Sequence, residues 1–381
     1  MFAPVCVLLE CNPTSILPQR HKKSITAARE FQGKNDCTIL VGVAQRSKLV
    51  ILPITMKAVV YGGGNIGRGF LGQLLFESGY DTVFIDINRI LIDKLNSDHS
   101  YPIKIVCNEY QSEITIQNVR AVHSNEATAE IATADILFIS AGVNVLPHIA
   151  QNIADGISGR QGRGLDIIIC ENLLHADKHL KELLGKYIEL PDNIGFVESS
   201  VGRMVPIMND EMYKGNILRV WVEPFCTLPV DKAAFKNEIP EIKNMLPSAP
   251  FEYHIQSKLY LHNMGHAIAA YLGLKRRYTY IWEAMADAEI YKAAEGALRS
   301  CAEALSKEHG KPIDEVIDYA YDLISRFQNR YLGDTCERVG RDARRKLAVD
   351  DRLLGAVALC NKHNLPTEYI KRGIVEALDY L

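Results

Sequence analysis

From Met56 onward the chain alternates short apolar runs with stretches of helical periodicity. "KAVVY" over 57–61 and "DTVFIDIN" over 81–88 are apolar and β-rich, and "ADILFISAGV" and "LDIIICEN" repeat the pattern, each closing on small or polar residues. Runs that are apolar on both faces read as strands of a parallel sheet covered on both sides. Between the first two lie a glycine-rich turn and the helical stretch "IGRGFLGQLLFESG". Strand, turn, helix and strand within about 30 residues make a βαβ unit, which needs a parallel pair and a right-handed crossover. "RILIDKLNS" continues as helix, while "YPIKIV" and "SEITIQNVRAV" read as an antiparallel insertion.

Past Pro229 the period changes, and "SKLYLHNMGHAIAAYLG", "YIWEAMADAEIYKAAEGALRSCAEAL" and "IDEVIDYAYDLISRF" all carry long helical spacing. The pattern therefore predicts an α/β protein with a Rossmann-type domain over 56–244 and a mainly α-helical domain over 245–381. "MLPSAPF" is the expected joint, because its two prolines interrupt any helix.

Residues 1–55 stand apart, with seven basic against three acidic side chains. The apolar opening "MFAPVCVLLE" lacks a basic segment before it and a small-residue cleavage site, so a signal peptide is not expected. Met56 stands where the first strand begins. The segment reads as an N-terminal extension or as sequence upstream of the true start, with a transit peptide as the lesser reading.

Composition narrows the classes. A chain of 381 residues is long for one core, in keeping with two domains. A net charge of -3 speaks against a nucleic-acid binder. Nine scattered cysteines without a CxxC pair read as free thiols in a reducing compartment, and the expected location is the cytoplasm. No apolar run approaches the roughly 18 to 20 residues that cross a bilayer, so no membrane partner is expected.

Gly62, Gly64 and Gly67 stand in GxGxxG spacing, directly after a strand and opening a helix. The first permits a tight turn, the second lets backbone approach a pyrophosphate, and the third lets helix pack close to strand. The whole turn, including Gly63, Asn65 and Ile66, would present phosphates to the positive helix end. Asp86 closes the next strand 22 residues after Gly64, where an acid accepts from ribose hydroxyls and repels a 2′-phosphate. The expected cofactor is therefore NAD, with Arg89 as the neighbour that would instead suit NADP. Gly142 ends another strand at the sheet edge where ligands collect.

Lys258, Asn263 and His266 stand in K-x4-N-x2-H spacing. On an α-helix they fall within an arc of roughly 140° and can face one pocket. Taken singly, each has a bland reading as a solvated charge, a polar interruption and a satisfied core histidine. With no HExxH, CxxC or compact His/Cys cluster, zinc has no obvious ligands and no metal is expected. Hydride chemistry on an alcohol without a metal needs a side-chain base, and a desolvated lysine can serve. Asn172 ends a strand at the same sheet edge, where its amide could donate to an alkoxide.

Together "MKAVVYGGGNIGRGFLGQLL", "CEN", "KLYLHNMGHAIAAYLG", "RFQNRYLGD" and "RVGRDARRKLAVDDRLLG" resemble the polyol-specific long-chain dehydrogenase family from Met56 almost to Leu381. The resemblance implies NAD-dependent interconversion of a hexitol phosphate and a ketohexose phosphate in a cleft between the two domains. By it, Lys258 is the general base, Asn172 and Asn263 hold the oxyanion, and His266 orients substrate and lysine. It implies a small sugar phosphate as partner and a monomer or homodimer. Arg338, Arg341 and Lys346, within a basic cluster that also holds Arg344 and Arg345, are the phosphate candidates. The rival reading is a relative acting on an unphosphorylated polyol or a hexonate.

Overall fold

The computed structural model describes residues 55–381, so the readings made of the leader lie outside the described residues. Eleven strands occur among them: β1 Lys57–Tyr61, β2 Asp81–Asp86, β3 Ser100–Val106, β4 Gln111–Gln117, β5 Val119–His123, β6 Ile136–Ile139, β7 Leu165–Ile169, β8 Ile194–Glu198, β9 Val220–Val222, β10 Leu228–Asp231 and β11 Met245–Ser248. Six form a parallel sheet in the order β5-β2-β1-β6-β7-β8. Val59 and Leu137 point to one apolar core, while Val60 and Phe138 point to the other, because successive side chains alternate across a strand. That is the both-faces burial expected of these runs.

The chain leaves β1 in one direction to reach β2 and returns past it to β6. The sheet therefore reverses its order between β1 and β6, and a crevice opens at their carboxyl ends, which is where ligands bind in such sheets. Gly62, Gly142 and Asn172 follow β1, β6 and β7, so all three lie along that edge.

Two expectations are corrected. "MLPSAPF" is not a bare joint at the start of the helical domain, because Met245–Ser248 forms β11 and pairs parallel with β10. "SEITIQNVRAV" is not a single antiparallel strand. Asn118 adopts a left-handed backbone, with φ of 56°, and divides it. The first part, β4, pairs antiparallel with β3, whereas β5 turns away and joins the outer edge of the parallel sheet beside β2.

The C-terminal half is helical and organised around Met264–Lys275, which follows a wider turn at Lys258–Asn263. Residues on every side of this helix, among them Met264, Ala267, Ile268, Ala270 and Tyr271, are buried. A helix apolar all round belongs in a core, and its small residues let Ala288–His309 and Glu368–Leu378 pack against it. Fully burying a side chain such as Ile268 contributes roughly 1.5–3 kcal/mol.

A buried ion pair joins the two halves. Arg326, near the end of helix Ile313–Phe327, donates from Nε to Glu223 Oε2 at 2.7 Å and from Nη2 to Glu223 Oε1 at 2.6 Å. Glu223 Oε1 also accepts from the Met204 amide, and Arg326 Nη2 donates to the Gly202 carbonyl. The pair therefore ties the 202–204 segment to the helical domain.

Candidate active site

The glycine turn has the shape that its spacing predicts. Gly62 has φ of 104°, and a Cβ there would lie 2.4 Å from the Ser140 carbonyl oxygen. A Cβ on Gly64 would meet nothing within 4 Å, so the backbone at the middle glycine faces open space. This cradle suits a group that must approach the main chain closely, as a pyrophosphate does. Buried Arg68 holds the turn from beneath, donating from Nε to the Gly63 carbonyl at 2.7 Å and from Nη1 to the Leu218 carbonyl at 2.5 Å.

Asp86 is bound into the same turn. Its Oδ2 accepts from the Gly63 amide at 2.9 Å, and its Oδ1 accepts from the Ile87 and Asn88 amides at 2.7 and 2.9 Å. The carboxylate is fixed at the strand end with acceptor capacity left over, since each oxygen carries two lone pairs. Arg89 is exposed at the start of the next helix.

Lys258 opens the widened turn Lys258–Asn263, in which backbone bonds run i→i+5. The arc deduced for an α-helix therefore does not apply: the wider winding brings positions five apart nearer to one face, which favours Lys258 and Asn263. Such insertions recur at functional sites. The Lys258 Nζ donates to Asn172 Oδ1 at 3.1 Å. Burial, aided by the nearby Arg352 guanidinium, brings this amine down to about 8. Both effects disfavour the ammonium form.

His266 stacks on Phe327, with ring centroids 4.9 Å apart and planes at 7°. Its Nε2 lies 3.5 Å from Asp334 Oδ2. Burial lowers the imidazole to about 4 against the opposing pull of Asp334, so it is neutral near pH 7.

These residues meet around one cavity of about 480 Å³, lined by Asn65, Ile66, Gly142, Asn172, Lys258, Asn263 and His266. With Arg338, eight positions named from the sequence thus line it, although they come from both halves of the chain. A second cavity shares Glu171, Asn172, Lys258 and Asn263 and extends to Ser199, Ser200, Arg345 and Arg352. Lys258 stands at the junction of the two.

The basic candidates are not brought together. Arg338 lines the first cavity, paired with Asp334, and its buried Nε has no partner among the described residues. Arg341 is exposed at the end of the short helix Cys336–Gly340 and lines neither cavity. Lys346 is buried and lines neither.

Four residues at the site escaped the sequence reading. Glu171 accepts from the Gly142 amide at 2.7 Å and so joins the ends of β6 and β7. His262 is buried with its Nδ1 unpartnered among the described residues, lines the first cavity, and is held neutral by burial first and by Arg326 second. Asp334 approaches His266 and pairs with Arg338, and Arg352 lines the second cavity. Glu171 adjoins Asn172, and His262 stands four residues after Lys258 on the same turn, so adjacency was the available signal. Nothing local marked Asp334 or Arg352.

A crevice at the switch point of a parallel sheet, closed by a mainly helical second domain that supplies a half-buried lysine, places the chain among two-domain Rossmann-type proteins. It belongs to the mannitol dehydrogenase family of oxidoreductases: residues 56–244 match the mannitol dehydrogenase Rossmann domain and 250–381 the mannitol dehydrogenase C-terminal domain. The mannitol-1-phosphate 5-dehydrogenase of Brevibacillus brevis is 35% identical over 337 residues, covering 85% of this chain and 86% of the relative. The enzyme of the same name from Shouchella clausii is 35% identical over 336 residues, 85% and 88% of the two chains. Among solved structures, a substrate-free D-sorbitol dehydrogenase shares the fold with a TM-score of 0.71 at 16% identity, covering 86% of this chain and 80% of that one. The Pseudomonas fluorescens mannitol 2-dehydrogenase ternary complex with NAD and D-mannitol gives 0.67 at 14%, covering 86% and 79%. No helix among the described residues is long and apolar enough to cross a membrane.

Proposed function

We propose that the protein oxidises D-mannitol 1-phosphate to D-fructose 6-phosphate, reversibly and with NAD. The observation that carries the reading is the Lys258 amine, seated on Asn172 at the junction of two cavities, one of which reaches the glycine turn. The 35% identity to enzymes named for this reaction supports the choice of substrate.

NAD, held by the Gly62–Gly67 turn with Asp86 toward its ribose, would supply the hydride acceptor. Lys258, as free amine, takes the proton of the C5 hydroxyl at Nζ and returns it to the carbonyl oxygen in the reverse direction. Because Asn172 Oδ1 accepts from the lysine, its Nδ2 is left to donate to the oxygen as charge develops there. Asn263 lines the same space and offers a second amide. Neutral His266, clamped by Phe327 and with Nε2 turned toward Asp334, can offer its other ring nitrogen to the polyol. An amine serving as base makes a metal unnecessary, so dialysis against EDTA should leave the rate unchanged.

The test is a substrate panel. Mannitol 1-phosphate, mannitol and hexonates are assayed side by side with NAD and NADP, following reduced cofactor. Activity confined to unphosphorylated substrates, or dependence on NADP, would overturn the reading.

A further inference from the structure

We propose that Arg352, assisted by Arg345, forms the seat for the substrate's phosphate in the cavity on the far side of Lys258 from the glycine turn. The inference rests on the functional reading above and assigns a site to the phosphate. Arg352 is buried, at 8% exposure, yet among the described residues its only ionic partner is Asp351, to which Nε donates at 2.7 Å. Its two terminal nitrogens make no hydrogen bond to the described residues and belong to a side chain that lines the cavity. Arg345 lines the same cavity, held by Asp342 at 2.7 Å and by Asp351 at 3.5 Å.

Charge argues in the same direction. Buried Lys346 lies close enough to Arg352 and Arg345 that they, with burial as the larger cause, lower its amine to about 8. Three cations are thus crowded around Asp342 and Asp351, a concentration of positive charge that a dianion relieves. Two further carboxylates line the cavity, Glu171 and Glu198. Each is committed to a backbone amide, of Gly142 and Ala176 respectively, and burial pushes both toward the neutral acid. Ser199 and Ser200 add hydroxyl groups, while Leu173, Leu174, Phe251, Ile255 and Leu259 form the apolar part of the lining, which suits the carbon chain. A guanidinium with a free pair of nitrogens matches two phosphate oxygens at once.

The placement agrees with the substrate's shape. In mannitol 1-phosphate the carbinol that is oxidised lies toward one end of the carbon chain and the phosphate at the other. With the carbinol at Lys258 and the cofactor turn on one side, the phosphate extends into the other cavity. Arg338, paired with Asp334 on the cofactor side, is left to hold sugar hydroxyls.

Arg352→Met and Arg352→Lys are compared with the unaltered protein, with cofactor affinity measured by fluorescence as the check on folding. Loss of the charged fork should raise KM for mannitol 1-phosphate by roughly ten- to a hundredfold in Arg352→Met, and by less in Arg352→Lys. The preference for mannitol 1-phosphate over mannitol, as a ratio of kcat/KM, should fall by the same factor. In the unaltered protein inorganic phosphate should compete with mannitol 1-phosphate and not with NAD, a measurement that holds even where a variant fails to fold. An enzyme active on mannitol 1-phosphate whose KM is indifferent to Arg352, or which inorganic phosphate does not inhibit competitively, sinks the proposed seat alone. An enzyme inactive on mannitol 1-phosphate sinks the functional reading, and the seat with it.

Discussion

Replacing Lys258 with methionine separates the two consequences of burying an amine beside Asn172. The side chain's ordinary value of 10.5 falls to about 8, chiefly through burial. At pH 7 about one molecule in ten then carries the free base, against roughly one in three thousand for an ordinary lysine, so burial multiplies the supply of base by about two- to three-hundredfold. The same desolvation weakens the fold. Between pH 10.5 and about 8 the unfolded chain binds this proton and the folded protein does not, so stability falls as pH drops through that window. Below it both states carry the proton, and the deficit stays constant at on the order of 2–3 kcal/mol. Methionine keeps an unbranched stem and binds no proton. The variant should therefore be more stable than the unaltered protein by about 1–3 kcal/mol at pH 7, a gain that shrinks as the pH is raised, measured by urea unfolding. Polyol oxidation should drop by at least about a hundredfold. In the unaltered protein, initial rates of oxidation should climb about tenfold per pH unit below pH 8 and level off above it, while reduction, which needs the ammonium, falls. A variant retaining more than about a tenth of the rate, or an oxidation profile flat through pH 8, would refute the reasoning.

Other expectations follow from single contacts. Asn172→Asp sets a carboxylate 3.1 Å from the Lys258 amine, which favours the ammonium, so the limb of the oxidation profile should move to higher pH; an unmoved limb would show that the amine does not govern it. Asp86→Asn removes the charge from the end of β2, and steady-state kinetics should show KM for NAD rising by about tenfold and the discrimination against NADP shrinking. Arg326→Ala leaves Glu223 buried without its cation, at a cost of about 3–5 kcal/mol in denaturant unfolding; a loss below about 1 kcal/mol would mean that the pair does not hold the domains together.

Much of the architecture was written in short-range spacing. The runs at 57–61, 81–86, 136–139 and 165–169 are strands because a sheet buried on both faces accepts only such runs, and the turn at Gly62–Gly67 follows from glycine's backbone freedom. The break at Asn118 was less legible. Its left-handed backbone ends β4, but only the vacant edge of β2 determines that β5 joins the parallel sheet.

At the site the division is sharper. The spacing of Lys258, Asn263 and His266 suggested that they could share a face, but the widened turn at Lys258–Asn263, which the sequence did not announce, sets how they do so. The sequence could not determine that Asn172, 86 residues earlier, meets the lysine, nor that Arg352 rather than Arg341 turns inward. Those outcomes depend on how the helical domain packs against the sheet edge. Burial, which converts an ordinary ammonium into a usable base, is a property of that packing and has no counterpart in the order of residues.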